Sequence, residues 1–118
     1  MSKQILIADD DSGITEAVKL MLEDEGYSVD TVSSSAEIKN MSQELPAVLV
    51  LDIWITGEDG CDICKYLKSQ ETTSQLPIIL FSANKDIRRI AQEAGADDFL
   101  PKPFDIDELL QKVQRFID

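Results

Sequence analysis

The sequence predicts an α/β fold in which a doubly wound parallel sheet of five strands carries helices on both faces. Three observations support this prediction. Apolar runs without polar alternation recur along the chain, helical patterns separate them, and a length of 118 residues suits one compact domain but not two. Strict alternation of strands and helices favours parallel strands that are joined by right-handed crossovers. We therefore expect a single domain that spans residues 1–118.

Five segments have the composition of strands. The runs "ILIA", "VLVL" and "IILF" lack any apolar–polar alternation, which is typical of strands that are buried on both faces of a parallel sheet. The segments "YSVDTV" and "DDFL" complete the set. In chain order, the predicted strands cover residues 5–8, 27–32, 48–51, 78–81 and 97–100.

Helical periodicity appears between these runs. One apolar stripe comprises Ile14, Ala17, Val18, Met21 and Leu22, and another comprises Ile106, Leu109, Leu110, Val113 and Ile117. Three more helices are predicted over residues 35–43, 59–69 and 85–94. Asp59 suits the N-cap of the second of these helices, and Gly95 suits the end of the third.

The charge of the chain limits its partners. Twenty-three acidic residues against eleven basic ones give a net charge of −12, which repels nucleic-acid phosphates and favours basic partners or metal cations. No apolar stretch approaches the roughly 20 residues of a membrane span, and the start of the sequence lacks the features of a signal peptide. We expect a cytoplasmic protein that does not bind nucleic acid directly.

The two cysteines, Cys61 and Cys64, have a spacing that could mean a redox pair or half of a zinc site. The chain has no histidine and no second cysteine pair that could complete a zinc site. Cys64 shares a helical face with Ile63 and Leu67, so we interpret it as a small buried apolar side chain. The lack of histidine also excludes Ser-His and Cys-His nucleophiles.

Polar side chains follow four of the predicted strands. Asp9 and Asp10 follow the first, Asp52 the third, Ser82 the fourth and Lys102 the fifth. In a parallel sheet these strand ends meet at one edge, where ligands bind. Clustered carboxylates need a cation, and oxygen ligands alone favour Mg²⁺. An ammonium and a hydroxyl suit an incoming phosphoryl group, so the set predicts phosphoryl transfer onto an aspartate.

Each of these residues also has a simpler interpretation. Aspartate is common in turns, and "DDDS" before a helix is typical of an N-cap, which is how we interpret Asp11. The prediction of a phosphoryl site therefore depends on the coincidence of these residues at strand ends.

Four motifs resemble one protein family in the same order and at matching spacing. "ILIADDDS", "LVLDIWITGEDG", "IILFSA" and "AGADDFLPKPF" are similar to the motifs of receiver domains of two-component response regulators, including the single-domain bacterial chemotaxis regulator. The resemblance covers essentially the whole chain. It implies a flavodoxin-like strand order of 2-1-3-4-5, a cis Lys102–Pro103 bond, and an edge position for the strand that contains Pro101.

The resemblance also implies roles at the site. Asp52 would be the phosphoacceptor, and its carboxylate would bind Mg²⁺ together with the acidic pair, Asp10 directly and Asp9 largely through water. The backbone carbonyl of Trp54 would complete the metal ligands.

Further implied roles concern the response to phosphorylation. Ser82 and Lys102 would contact the phosphoryl group, and the rotamer of Phe99 would report the switch. Trp54 and Asn84 would border the path of water to the acyl phosphate. Where the family usually has methionine and proline, this chain has Ile55 and Thr56, a departure that leaves the chemistry in place.

Three functions compete at this point. The first is a signalling switch in a phosphorelay, not an enzyme beyond self-phosphorylation from small donors and self-dephosphorylation. A histidine kinase or phosphotransfer protein would phosphorylate it, and a protein partner would bind the face of the fourth helix, fifth strand and fifth helix.

The second is a haloacid-dehalogenase-type phosphatase with Asp9 as nucleophile and Asp11 as acid. Such an enzyme needs a further acidic motif at a strand end downstream of the lysine. Here Asp105, Asp107 and Glu108 instead open the last helix, where acids are ordinary first-turn residues. The third is a pseudo-receiver that binds partners without phosphorylation.

Overall fold

The computed structural model describes residues 4–39, 45–55 and 57–117. Its main sheet has five strands, which we number β1 (Gln4–Ala8), β2 (Ser28–Val32), β3 (Val48–Asp52), β4 (Ile78–Ser82) and β5 (Asp98–Pro101). The strand order is β2-β1-β3-β4-β5, and every neighbouring pair is parallel. The predicted doubly wound sheet and its order 2-1-3-4-5 are therefore confirmed, with β5 at an edge as Pro101 requires.

The helices are α1 (Ser12–Asp24), α2 (Ser35–Lys39), α3 (Gly60–Ser69), α4 (Ile87–Ala94) and α5 (Ile106–Ile117). Residues 40–43 of the second predicted helix lie outside the described residues. The prediction that α4 begins at residue 85 was wrong by two residues. The Asp86 backbone N–H donates to Asn84 Oδ1 at 2.9 Å, and this turn delays the start of the helix.

Local capping follows the sequence. Asp11 is the N-cap of α1, where its Oδ1 accepts hydrogen bonds from the backbone N–H groups of Gly13 at 3.0 Å and Ile14 at 3.3 Å. Asp59 caps α3 by accepting from the Cys61 N–H at 2.8 Å. Gly95 ends α4 at a φ of 80°, in the left-handed region that glycine adopts without steric cost.

Two apolar layers cover the sheet. Side chains alternate along each strand, so Leu49 and Leu51 face one layer while Val48 and Val50 face the other. The first layer packs α2, α3 and α4 against the sheet, with Cys64 fully buried in it. The second packs α1 and α5.

The stripe predicted on α1 is only partly buried. Val18 and Leu22 are buried, but Ala17 is exposed and Met21 is 49% exposed. The apolar face of α1 is thus wider than the area that the sheet and α5 cover.

The loop between β3 and α3 contains a short hairpin that the sequence pattern did not predict. Trp54–Ile55 pairs with Glu58–Asp59 in antiparallel fashion, and Gly57 adopts a φ of 76° at the turn. In the described part of the chain, no helix has the length and apolar character needed to cross a membrane.

Candidate functional site

The carboxyl ends of the strands bring the predicted polar residues to one edge of the sheet. Ala8 is in register with Leu51, so Asp9 lies level with Asp52 on the neighbouring strand. Asp52 is in register with Phe81, and Ser82 ends the next strand. The structure therefore clusters side chains from β1, β3 and β4, as the parallel topology requires.

Lys102 joins the two aspartates. Its Nζ lies 3.2 Å from Asp52 Oδ2 and 3.4 Å from Asp9 Oδ2. The Lys102 side chain is 20% exposed, that of Asp52 13% and that of Asp9 only 1%. The ammonium is a shared counter-charge for one buried and one accessible carboxylate, where attraction is less screened than on an open surface.

Asp9 is the carboxylate that its surroundings perturb most clearly. Burial raises its pKa, and the charge of Asp52 adds to that effect. The hydrogen bond from the Asp11 N–H to Asp9 Oδ1, 3.0 Å long, and the charge of Lys102 oppose it without cancelling it. A cation that approached both carboxylates would favour ionised Asp9.

Asp52 is held at both oxygens. Its Oδ1 accepts a hydrogen bond from the Trp54 backbone N–H at 3.2 Å, while its Oδ2 faces Lys102. These two contacts orient the carboxylate at the end of a strand whose other residues are fully buried. The Trp54 indole itself is 60% exposed at the rim of the site.

Phe81 is a site residue that the sequence analysis missed. Its ring is 1% exposed, and Lys102 Nζ lies 4.5 Å from the ring centroid. The rings of Phe81 and Phe104 form a T-shaped pair with their centroids 6.1 Å apart. An aromatic residue in an apolar strand is ordinarily a core residue, so no signal in the sequence pointed to a cation–π contact with Lys102.

The backbone of Lys102, between β5 and α5, is also held at the site. The Lys102 N–H donates to the Ser82 carbonyl at 2.8 Å, and the Lys102–Pro103 peptide bond is cis, as the resemblance implied. Ser82 is 7% exposed, and its Oγ accepts a hydrogen bond from the Asn84 N–H at 2.9 Å. The ring of Phe99 is half-buried on β5.

Gly60 is a second residue that the sequence analysis missed. A Cβ at this position would overlap the Asp52 carbonyl oxygen and lie 2.8 Å from Ile53 Cα. The first residue of α3 can therefore approach the acceptor loop only as glycine, and its N–H donates to the Ile53 carbonyl at 2.6 Å.

The donor set fits a magnesium ion. Mg²⁺ takes one or two carboxylates, keeps several waters and needs no nitrogen or sulfur ligand. Asp9 and Asp52 supply carboxylate oxygens a few ångströms from the same ammonium, and the exposed Asp10 follows directly in the chain. Among the described residues, no three acidic, cysteine or histidine side chains lie close enough to hold a metal by themselves. Direct binding by Asp10 therefore stays a prediction.

The geometry gives no support to the phosphatase hypothesis. That mechanism needs Asp9 as an accessible nucleophile and Asp11 as an acid beside it. Asp9 is 3% exposed, and the Asp11 carboxylate caps α1.

A doubly wound sheet with a partly exposed aspartate at the end of β3, flanked by a buried acid and a lysine, defines the class of phosphoacceptor domains. The chain belongs to the response regulator receiver domain family, whose model matches residues 5–114. Response regulator MprA of Mycobacterium bovis is 38% identical over 120 residues, which cover 99% of this chain and 51% of that protein. This chain spans about half the length of the curated relatives that it matches.

Solved structures agree with the family. The receiver domain of a response regulator from Bermanella marisrubri has a TM-score of 0.86 and 31% identity, with 100% of both chains covered. The receiver domain of the sensor histidine kinase PA1611 from Pseudomonas aeruginosa has a TM-score of 0.87 and 27% identity, over 99% of this chain and 98% of its own. That structure has a magnesium ion coordinated in its active-site cleft.

Proposed function

We propose that residues 1–118 form one receiver domain that accepts a phosphoryl group on Asp52 in a Mg²⁺-dependent reaction and acts as a switch in a two-component phosphorelay. The observation that carries this proposal is the accessible Asp52 carboxylate, which lies 3.2 Å from Lys102 Nζ and shares that ammonium with buried Asp9. The domain is a phosphoacceptor whose own chemistry is limited to self-phosphorylation from small donors and self-dephosphorylation.

The transfer step needs little from the protein beyond orientation and charge. A carboxylate oxygen of Asp52 bonds to phosphorus as the bond between phosphorus and the donor breaks, and the leaving group departs with that electron pair. Asp9, Asp10, Asp52 and the Trp54 carbonyl would hold Mg²⁺, which would supply positive charge to offset that of the phosphoryl oxygens. The Lys102 ammonium, which faces the Asp52 carboxylate before the transfer, contacts the phosphoryl group after it.

Ser82 and Phe99 make the domain a switch. The Ser82 hydroxyl turns from the Asn84 N–H to donate to the phosphoryl group, which opens space for the Phe99 ring to turn inward. The turn changes the face made by α4, β5 and α5, where a protein partner binds. Two populated states that differ in this face are sufficient for signalling.

The phosphoryl donor is a histidine kinase or a phosphotransfer protein. Residues 1–118 contain no histidine, so a phosphohistidine donor would have to lie outside this domain. An apolar cavity of about 610 Å³ supports docking of a protein beside the site, because Lys102 lines it together with Ile14, Met21 and Phe104.

The net charge of −12 supports a protein partner over direct contact with nucleic acid. We also propose a cytoplasmic location for the domain, as the sequence predicts. The relatives are twice as long, so the output of this domain passes either through a separate partner or through a further domain of a longer protein.

The test is phosphorylation with acetyl phosphate and Mg²⁺, followed by mass spectrometry of peptides. A phosphoryl group on Asp52 is expected in the wild type and none in Asp52→Asn, whereas Asp10→Asn should require more Mg²⁺ for the same rate. Asp11→Asn is the matched control, because asparagine also caps a helix. Addition to Asp9, or wild-type phosphorylation of Asp52→Asn, would refute the assignment. Rapid phosphate-ester turnover that needs Asp9 but not Asp52 would favour a phosphatase.

A further inference from the structure

A lysine from α5 lies over the ring of Phe99. Lys112 Nζ is 5.1 Å from the ring centroid and 2.9 Å from Asp98 Oδ1. Asp98 also accepts a hydrogen bond from the Phe99 N–H at 2.8 Å. One side chain of α5 is therefore anchored to a strand residue and rests on the aromatic ring next to it.

These contacts connect the two layers of the fold. Phe99 packs against the layer of α3 and α4, while Leu109 and Val113, the neighbours of Lys112 on α5, are buried in the opposite layer. Asp98 and Phe99 point to opposite faces of the strand. Because β5 is the edge of the sheet, the long lysine side chain can pass around that edge and reach both.

We infer that Lys112 is a latch that retains Phe99 in its present orientation and so sets the resting equilibrium of the switch. This inference rests on the proposed function, in which Phe99 turns when Asp52 is phosphorylated. In the present orientation the Ser82 hydroxyl is still engaged with the Asn84 N–H at 2.9 Å, which is the arrangement before phosphorylation. Turning the ring inward removes it from the ammonium, so the cation–π attraction opposes activation.

The size of the effect follows from the surroundings of the lysine. The Lys112 side chain is 21% exposed and that of Asp98 is 11% exposed, so the ammonium is partly desolvated and held in place by the carboxylate. Loss of a cation–π contact of this kind should raise the equilibrium constant for the turned ring by about two- to fivefold.

The chain offers a matched pair of variants. Lys112→Gln and Arg115→Gln each remove one positive charge from α5 and one ion pair to Asp98, since Arg115 NH1 lies 3.3 Å from Asp98 Oδ2. Among the described residues, Lys112 is the cation that lies over the Phe99 ring. The pair thus separates the ring contact from the general loss of charge.

The measurement is the aromatic ¹³C–¹H chemical shift of Phe99 in phenylalanine-labelled protein, assigned with Phe99→Leu, before and after acetyl phosphate and Mg²⁺. In unphosphorylated Lys112→Gln, the resonance should move toward its position in the phosphorylated wild type, while Arg115→Gln and Lys112→Arg should stay at the wild-type position. The rate constant for phosphorylation should rise in Lys112→Gln by up to the same two- to fivefold, about the free energy of one cation–π contact.

Equal displacements in Lys112→Gln and Arg115→Gln would overturn the latch in favour of a charge effect, and an unmoved resonance in Lys112→Gln would overturn it outright. Intact mass separates these results from a failure of the proposed function. In that case the wild type itself would gain no phosphoryl group on Asp52, and both the proposed function and the role of Lys112 would be refuted.

Discussion

The close approach of α3 to the acceptor loop predicts that Gly60→Ala destabilises the domain and slows phosphorylation of Asp52. A Cβ at residue 60 would overlap the Asp52 carbonyl oxygen and lie 2.8 Å from Ile53 Cα and 3.0 Å from the Asp52 carbonyl carbon. All three are backbone atoms, so no side-chain rotation can relieve the overlap. The helix and the loop must separate, against the hydrogen bond from the Gly60 N–H to the Ile53 carbonyl, 2.6 Å long.

Overpacking of this kind costs about 1–3 kcal/mol of unfolding free energy. For a domain of this size that corresponds to a fall in Tm of about 4–12 °C. The displaced atoms belong to the acceptor residue, and phosphoryl transfer is sensitive to shifts of a fraction of an ångström. We therefore expect the rate constant for phosphorylation to fall by about tenfold.

Thermal unfolding by circular dichroism and intact mass after timed addition of acetyl phosphate and Mg²⁺ measure the two effects. Gly26→Ala is the control, because Gly26 has a φ of 97° and no atom lies within 4 Å of the position that a Cβ would take there. Its cost, about 1–2 kcal/mol of backbone strain, should leave phosphorylation unchanged. A Gly60→Ala protein with wild-type Tm and rate, or a Gly26→Ala protein slowed as much, would refute the reasoning.

Three other residue environments lead to further expectations. Trp54→Ala should shorten the lifetime of the acyl phosphate after donor removal, because the 60% exposed indole borders the site; an unchanged lifetime in a folded variant would leave it as surface packing. Cys61 and Cys64 should react with iodoacetamide at pH 7.5 far more slowly than in urea, because burial raises their pKa values to about 12 and about 11; equal rates would contradict this. Without Mg²⁺, Asp9→Asn should raise the free energy of unfolding at pH 7. Burial raises the pKa of Asp9, so an ionised Asp9 destabilises the folded state relative to the unfolded state. The gain should vanish below about pH 4, where both states bind the proton, and a gain that grew toward low pH would have the wrong sign.

Much of the site could be predicted because its position depends on the topology of the sheet. Apolar runs that end in Asp52 or precede Asp9 mark strand ends, and parallel strands bring their carboxyl ends to one edge. The caps at Asp11 and Asp59 were equally predictable, because a cap depends on hydrogen bonds between residues two or three positions apart.

The apolar periodicity of a helix was less informative about which of its side chains are buried, because neighbouring elements decide that. The residues of the predicted stripe on α1 are not all covered, since Met21 is 49% exposed. The pattern of a helix states which residues are apolar, but the width of the covered face depends on how closely α5 and the sheet approach it. The start of α4 shifted for a local reason, since the Asn84 side chain accepts from the Asp86 N–H and favours a turn.

The sequence by itself determined the parallel sheet, the edge at which the acids and the lysine meet, and the oxygen-only character of a metal site, because these follow from periodicity and residue type. Only the tertiary structure decided the individual partners. Lys102 meets Asp9, 93 residues earlier in the chain, over the ring of Phe81, and Lys112 reaches Phe99 around the edge of the sheet. Such contacts depend on distances of a few ångströms between segments that are remote in sequence, and packing sets those distances.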